Sequence, residues 1–256
     1  MTMKPDDRSL SWPDVISKIR ARTPARLLVG RSGSAYRTST QLELREAHAN
    51  ARDAVHAELD LERQFEPAFL ERWKLFEVRT QANSKDEYLL QPTLGRNFSE
   101  PSRFDLQKRC PRHSDFQIVI GDGLSATAVA AQVPALLPIL YQEVGARDWS
   151  VGQPFVVRYC RVGILNEIGE LLSPAVAVLL IGERPGLATA ESLSAYMAFR
   201  PRQGHTDANR NLISNIHVRG VSPAVAATRI INLAAQMMTA RVSGLQVREE
   251  LPAFGG

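Results

Sequence analysis

Two short stretches of this chain carry residue types that could do chemistry at strand ends. The first is IGERPGL, residues 181–187, which follows the apolar run 175–180. It sets a carboxylate, a guanidinium, a proline and a glycine where open α/β sheets keep their ligands. Glu183 can accept hydrogen bonds from amides or hydroxyls. Gly182 and Gly186 let backbone approach a bulky group, and Pro185 stiffens the turn. That chemistry suits a large, uncharged, amide-rich ligand better than a phosphate. The competing reading pairs Glu183 with Arg184 or Arg158. The second stretch, Gly121-Asp122-Gly123-Leu124-Ser125-Ala126, has the G-x-G-x-x-G/A form of a dinucleotide fingerprint. The fingerprint needs an acidic residue about 20 positions on, at the end of the next strand. Glu143 has the distance but falls at a helix end, and Asp122 would set a negative charge beside a phosphate. A tight strand-to-helix turn is the preferred reading, with an NAD-dependent oxidoreductase built on GDGLSA as the alternative.

A third stretch, Asn215 to Gly220 (NIHVRG), has the outline of D-x-H-x-x-G, by which some enzymes place a histidine on the cobalt of cobalamin. Its first residue is Asn, so the acidic partner that orients a metal-bound imidazole is missing. His217 therefore reads as a loop histidine. His48, His56, His113 and His205 stand singly, without zinc-type spacing. No G-x-S-x-G elbow, phosphate-binding G-x-x-x-x-G-K loop or acid/base carboxylate pair is present. No catalytic and no metal-ligating residue is assigned to this chain.

The elements that must position these turns fall into two regions, with the boundary expected near residue 110. Residues 1–110 read as mostly helical. Thr40-Gln41-Leu42-Glu43 has the form of a capping box, and Leu44, Ala47, Ala51 and Val55 recur at helical spacing. Phe69, Trp73 and Phe76 repeat in the same way and read as packing residues. Ser84 precedes a short helix, and residues 92–96 read as a turn. Residues 111–256 read as α/β, with strands at 116–120, 154–159, 175–181 and 212–216. The stretch 193–199 fits a strand or a short helix. Pro134 and Pro138 are expected to break the alanine-rich helix 126–144 in two. The last helix has Ser222 as N-cap, Pro223 at its first position and Gly244 as its C-terminal glycine. Apolar runs without alternation, separated by helices, indicate a Rossmann-like, doubly wound, mainly parallel sheet.

Composition narrows the classes. The 256 residues are 44% hydrophobic and 23% charged, as in an ordinary globular protein with a substantial core. No run of about 18 apolar residues suggests a membrane span. The start, MTMKPDDRSLSW, lacks an apolar signal core, so a cytoplasmic location is expected. Cys110 and Cys160 form neither a zinc pattern nor a disulfide framework. Net charge is +4, with basic residues gathered in 17–31. A nucleic-acid arm would carry interleaved aromatics. Contact with a protein partner, or solvation, is preferred.

Taken together, the motifs resemble those of the small (light) subunit of ethanolamine ammonia-lyase over nearly the whole chain. The resemblance is carried by TPARLLVGRSG with Arg37-Thr38, then Asp53-Ala54-Val55 and YLLQPTLGR. It continues through QIVIGDGLSATAV, PFVVRYCRV, VLLIGERPGL with ESLSAY, and ISNIHVRG. It implies an adenosylcobalamin enzyme, with the cofactor base-on, that converts ethanolamine into acetaldehyde and ammonia by a radical mechanism. It also implies a hetero-oligomer with several copies of each chain, in which a barrel-shaped large subunit holds the substrate. The small subunit supports cobalamin from its nucleotide side, and its first region meets the large subunit. The family's cofactor contacts fall on Val162, Glu183 and Leu212, the last in place of a common cysteine. The chain starts close to the first family motif, without the long extension that directs some relatives to a microcompartment. That compartment remains the alternative address.

Overall fold

The computed structural model describes residues 12–22 and 27–249. The start MTMKPDDRSLS and residues 23–26 of the first family motif lie outside them. In the first region come α1 (Trp12–Ala21), β1 (Arg31–Ser32), β2 (Ala35–Tyr36), α2 (Thr38–His56), α3 (Leu61–Gln64) and α4 (Pro67–Trp73). Next are β3 (Glu77–Arg79), α5 (Lys85–Leu90), a 3₁₀ turn (Pro92–Arg96) and α6 (Glu100–Arg109). The remainder is β4 (Phe116–Gly121), α7 (Ala126–Gly145), β5 (Phe155–Arg158), α8 (Ile164–Leu172), β6 (Val176–Gly182), β7 (Leu193–Phe199), β8 (Asn211–Ile216) and α9 (Pro223–Ala240). Among the described residues, no helix is long and apolar enough to cross a membrane.

The sheet is six-stranded and mixed, in the order β3-β5-β4-β6-β7-β8. β4 and β6 are buried along their whole length, so both faces must be apolar, and alternate side chains fill two cores. Phe116, Ile118, Ile120, Val178 and Leu180 pack with the apolar faces of α7 and α9. Val119, Ala177 and Leu179 pack with Phe155, Val157 and the apolar residues of α6 and α8. The expected parallel sheet holds for β3, β5, β4 and β6. β7 and β8 run antiparallel, because the loop after β6 and the segment after β7 carry no crossover helix that could return the chain in parallel. The stretch 193–199 is thus a strand. β3, from the first region, forms the far edge beside β5.

Four local expectations are corrected. α2 begins at Thr38 without a side-chain cap, and Thr40 is buried inside it, so Thr40 and Glu43 form no capping box. Phe76 does not continue a helix from Trp73, because Lys74 turns left-handed and ends α4. The packing role nevertheless holds. Trp73 lies 4.5 Å from the Tyr141 ring and Phe76 5.9 Å from Phe155. α7 is continuous through Pro134 and Pro138. The missing amides free the carbonyls of Ala130 and Pro134 near the exposed Pro134 and Ala135, where water can satisfy them, while Val133, Leu136, Leu137 and Leu140 anchor the other face. α9 keeps its expected start, with Ser222 accepting from the Val225 amide. It ends at a left-handed Arg241. Gly244, at φ +84°, closes a later turn against Ala208.

Candidate functional site

Register puts one ligand-ready edge on this sheet. Gly121 pairs with Val157 on one side and Ile181 on the other, so β4, β5 and β6 end level. β4 leads through α7 to β5 on one flank, and β5 leads through α8 to β6 on the other. The chain direction therefore reverses at β4 and opens a crevice at the strand ends. A cleft of about 340 Å³ lies there. Val162, Glu183 and Leu212 all line it, with Tyr88, Arg161 and Tyr196. Three residues from separate segments thus share one wall. Leu212, opposite Tyr196 in the β7–β8 pair, is 45% exposed.

Glu183 makes neither of the ion pairs considered for it. Its Oε1 accepts from the Ser194 hydroxyl at 2.6 Å and from the Asn215 amide at 2.8 Å. Arg158 pairs with Glu58 and Glu77 instead. Asn215 presents its amide from a left-handed backbone, φ 61°, beside a bulge in the β7–β8 register. Oε2 accepts no hydrogen bond among the described residues.

The GDGLSA turn is closed. Asp122 is 1% exposed and accepts from the amides of Tyr159 and Cys160, each at 2.9 Å. Buried Lys85 lies 4.0 Å from it and donates to the Gly123 carbonyl. The Tyr88 hydroxyl donates to the Cys160 carbonyl at 2.9 Å, and Thr80 holds the Tyr159 carbonyl. Together these groups fix the loop 159–162, whose Tyr159 is left-handed at φ 58°. At the start of α7, Ser125 caps the Ala128 amide and donates to Ala190, and the Gly182 carbonyl accepts from Leu124. The Ser125 hydroxyl and the Gly182 carbonyl thus take amide donors that a pyrophosphate would need at this helix start. The next strand ends in Arg158 rather than an acid, so the dinucleotide reading is set aside.

The ethanolamine ammonia-lyase light chain family (EutC) matches residues 13–248. The chain belongs to this family. It is 38% identical to the ethanolamine ammonia-lyase small subunit of Clostridium acetobutylicum, over 91% of this chain and 94% of that protein. It is also 38% identical to the small subunit from Clostridium perfringens and 39% to that from Fusobacterium nucleatum, in both cases over 90% of this chain and 76% of the relative.

In this light chain His217 is committed to its own loop. Its Nδ1 accepts from the Arg219 amide, and Nε2 lies 2.7 Å from Asn215 Oδ1. With Nδ1 an acceptor, Nε2 carries the proton and donates. Neither nitrogen is free for a metal. Lys85 and Asn215 were not legible as site residues, and Tyr88, Ser194 and Tyr196 stood only as letters in motifs. Lys85 did leave a signal, since a cation in a helix's first turn opposes the dipole and calls for another duty.

Both light-chain cysteines are buried. Burial, opposed by Arg109, pushes the Cys110 thiol up to about 12. Burial also raises Cys160 well above the ordinary thiol value, with Asp122 adding to the effect. Because the thiolate is the nucleophile, a thiol reagent at about pH 8 should label neither cysteine in the folded protein and both after denaturation. Rapid labelling of Cys160 would show that the loop 159–162 opens.

Proposed function

We propose that this chain is the small subunit of an adenosylcobalamin-dependent ethanolamine ammonia-lyase, and that the cleft at the strand ends seats the edge of the cofactor. The observation that carries the reading is the meeting of Val162, Glu183 and Leu212 on one wall. The lining fits such a group. A carboxylate oxygen can take donors from amides or ribose hydroxyls, and Ser194 and Tyr196 offer further polar atoms. The exposed Leu212 supplies apolar contact. A corrinoid is far larger than 340 Å³, so this wall would hold only its periphery, base-on, and a large subunit would cover the rest. Bound adenosylcobalamin supplies the radical chemistry, and the large subunit handles ethanolamine. Here the protein's part is placement.

Helices on both faces of the parallel strands support a doubly wound, Rossmann-like reading of residues 111–256. We assign residues 1–110 to contact with the large subunit.

Mixing this chain with its large subunit should give cobalamin-dependent release of ammonia from ethanolamine. Full activity of the large subunit alone would overturn the proposal. Within that complex, Glu183→Ala should weaken cobalamin retention by about ten- to a hundredfold, the worth of one hydrogen bond to a charged group. Subunit assembly, read by size-exclusion chromatography, should survive. Equal retention by mutant and parent would remove Glu183 from the site.

A further inference from the structure

The cofactor cleft does not end at Val162. It runs through Arg161, Val162 and Tyr196 into a second cleft of about 500 Å³. The two halves differ in charge. The second is lined by Arg96, Arg161 and Arg210, and Asp207 is its one carboxylate among the described residues. Asp207 is already paired with Arg210. Neither Arg96 nor Arg161 has an ion pair among the described residues.

These cations are held in place by built contacts. The Arg161 guanidinium stacks over the Tyr88 ring at 4.4 Å, while its amide donates to Gly95. Arg96 runs its stem over Gly163, where an added Cβ would lie 2.9 Å from Arg96 Cγ. The Arg210 side chain is only 6% exposed and donates to Asn166. Buried Nε atoms of Arg161 and Arg210 have no hydrogen-bond partner. Gly163, the N-cap of α8, lines the same cleft, so a positive helix end adds to the field. Unpaired guanidiniums in a partly dry cleft suit a planar pair of anionic oxygens.

Resting on the reading above, we propose that this basic cleft binds the phosphodiester of the cofactor's nucleotide tail, with Arg96 and Arg161 as its ligands. The groove is then graded, with a carboxylate for amides and hydroxyls at one end and guanidiniums for the phosphate at the other.

The test titrates the assembled complex of this chain and its large subunit with cobinamide and with cobinamide phosphate, which differ only in the phosphate. The parent should bind the phosphate form at least about tenfold more tightly. In an Arg96→Gln, Arg161→Gln double variant the two ligands should bind equally. Arg161→Lys, which keeps the charge, should retain part of the difference. Should the double variant fail to assemble, Arg96→Gln alone must lose part of it. Inorganic phosphate should compete away the phosphate advantage and leave cobinamide binding unchanged. A parent that does not distinguish the two ligands, or variants that keep the full difference, would overturn the inference. Inorganic phosphate bound by a parent that gains nothing from the phosphate form would mean a free-anion site and would overturn it too. A parent that binds neither corrinoid would instead refute the cofactor reading.

Discussion

Asp122→Ala will lower the melting temperature by on the order of 10 °C and loosen the wall that carries Val162. Asp122 is the acceptor for two buried amides and the counter-charge to a buried ammonium. Burial raises the Asp122 carboxyl pKa, with Lys85 and the accepted amides pulling it down. Burial lowers that of Lys85, with Asp122 pulling it up. Both groups are therefore held against desolvation, and the pair is worth little as an addition to stability. Breaking it is a different matter. Leaving one partner uncompensated costs about 3–5 kcal/mol, and about 1 kcal/mol moves the midpoint of a domain this size by roughly 2–4 °C. Adding Lys85→Met to Asp122→Ala should recover part of the loss, because the stranded cation is gone. Differential scanning fluorimetry reads both variants. A shift under about 2 °C for Asp122→Ala, or a double variant worse than the single, would contradict the assignment.

The second large effect is expected at Gly182. A Cβ there would lie 2.0 Å from the Ser125 carbonyl oxygen and 2.8 Å from that of Asp122. Both obstacles are backbone, so the end of β6 and the start of α7 must part. Gly182→Ala should destabilise the fold by about 3 kcal/mol or more, the upper end of overpacking costs. It should also displace Glu183 enough to weaken cobalamin retention in the complex. Gly186, four residues on in the same turn, is the control. Its added Cβ meets nothing nearer than the Ala188 nitrogen at 4.0 Å, so Gly186→Ala should stay within about 0.5 kcal/mol. Similar stability in the two variants would show that the closure seen at Gly182 relaxes freely.

Much of the fold was legible where one physical signal dominated. Unbroken apolar runs marked β4, β5 and β6, and Ser222-Pro223 marked the start of α9. Signals failed where tertiary contact outvoted local chemistry. Pro134 and Pro138 should have broken α7, yet their neighbours' burial keeps it continuous. The pattern of LSAYMAF could not separate strand from helix, since pairing on both sides decides that stretch. The site divides in the same way. Glu183 could be read as an acceptor on a ligand-bearing turn, but its partners Ser194 and the Asn215 amide come from other strands. Asp122 drew attention as an awkward charge between glycines. That it serves the distant amides of Tyr159 and Cys160 rests on the β4–β5 pairing, which no local window contains.

The groove's walls come from chain positions as far apart as Tyr88 and Ser214, and β8 is the last strand among the described residues. No nascent fragment that stops short of residue 212 can present Asn215's amide to Glu183 or offer Leu212 as a wall. Under the proposed reading, a cofactor edge seated in this groove would meet its complete wall only after synthesis has passed β8.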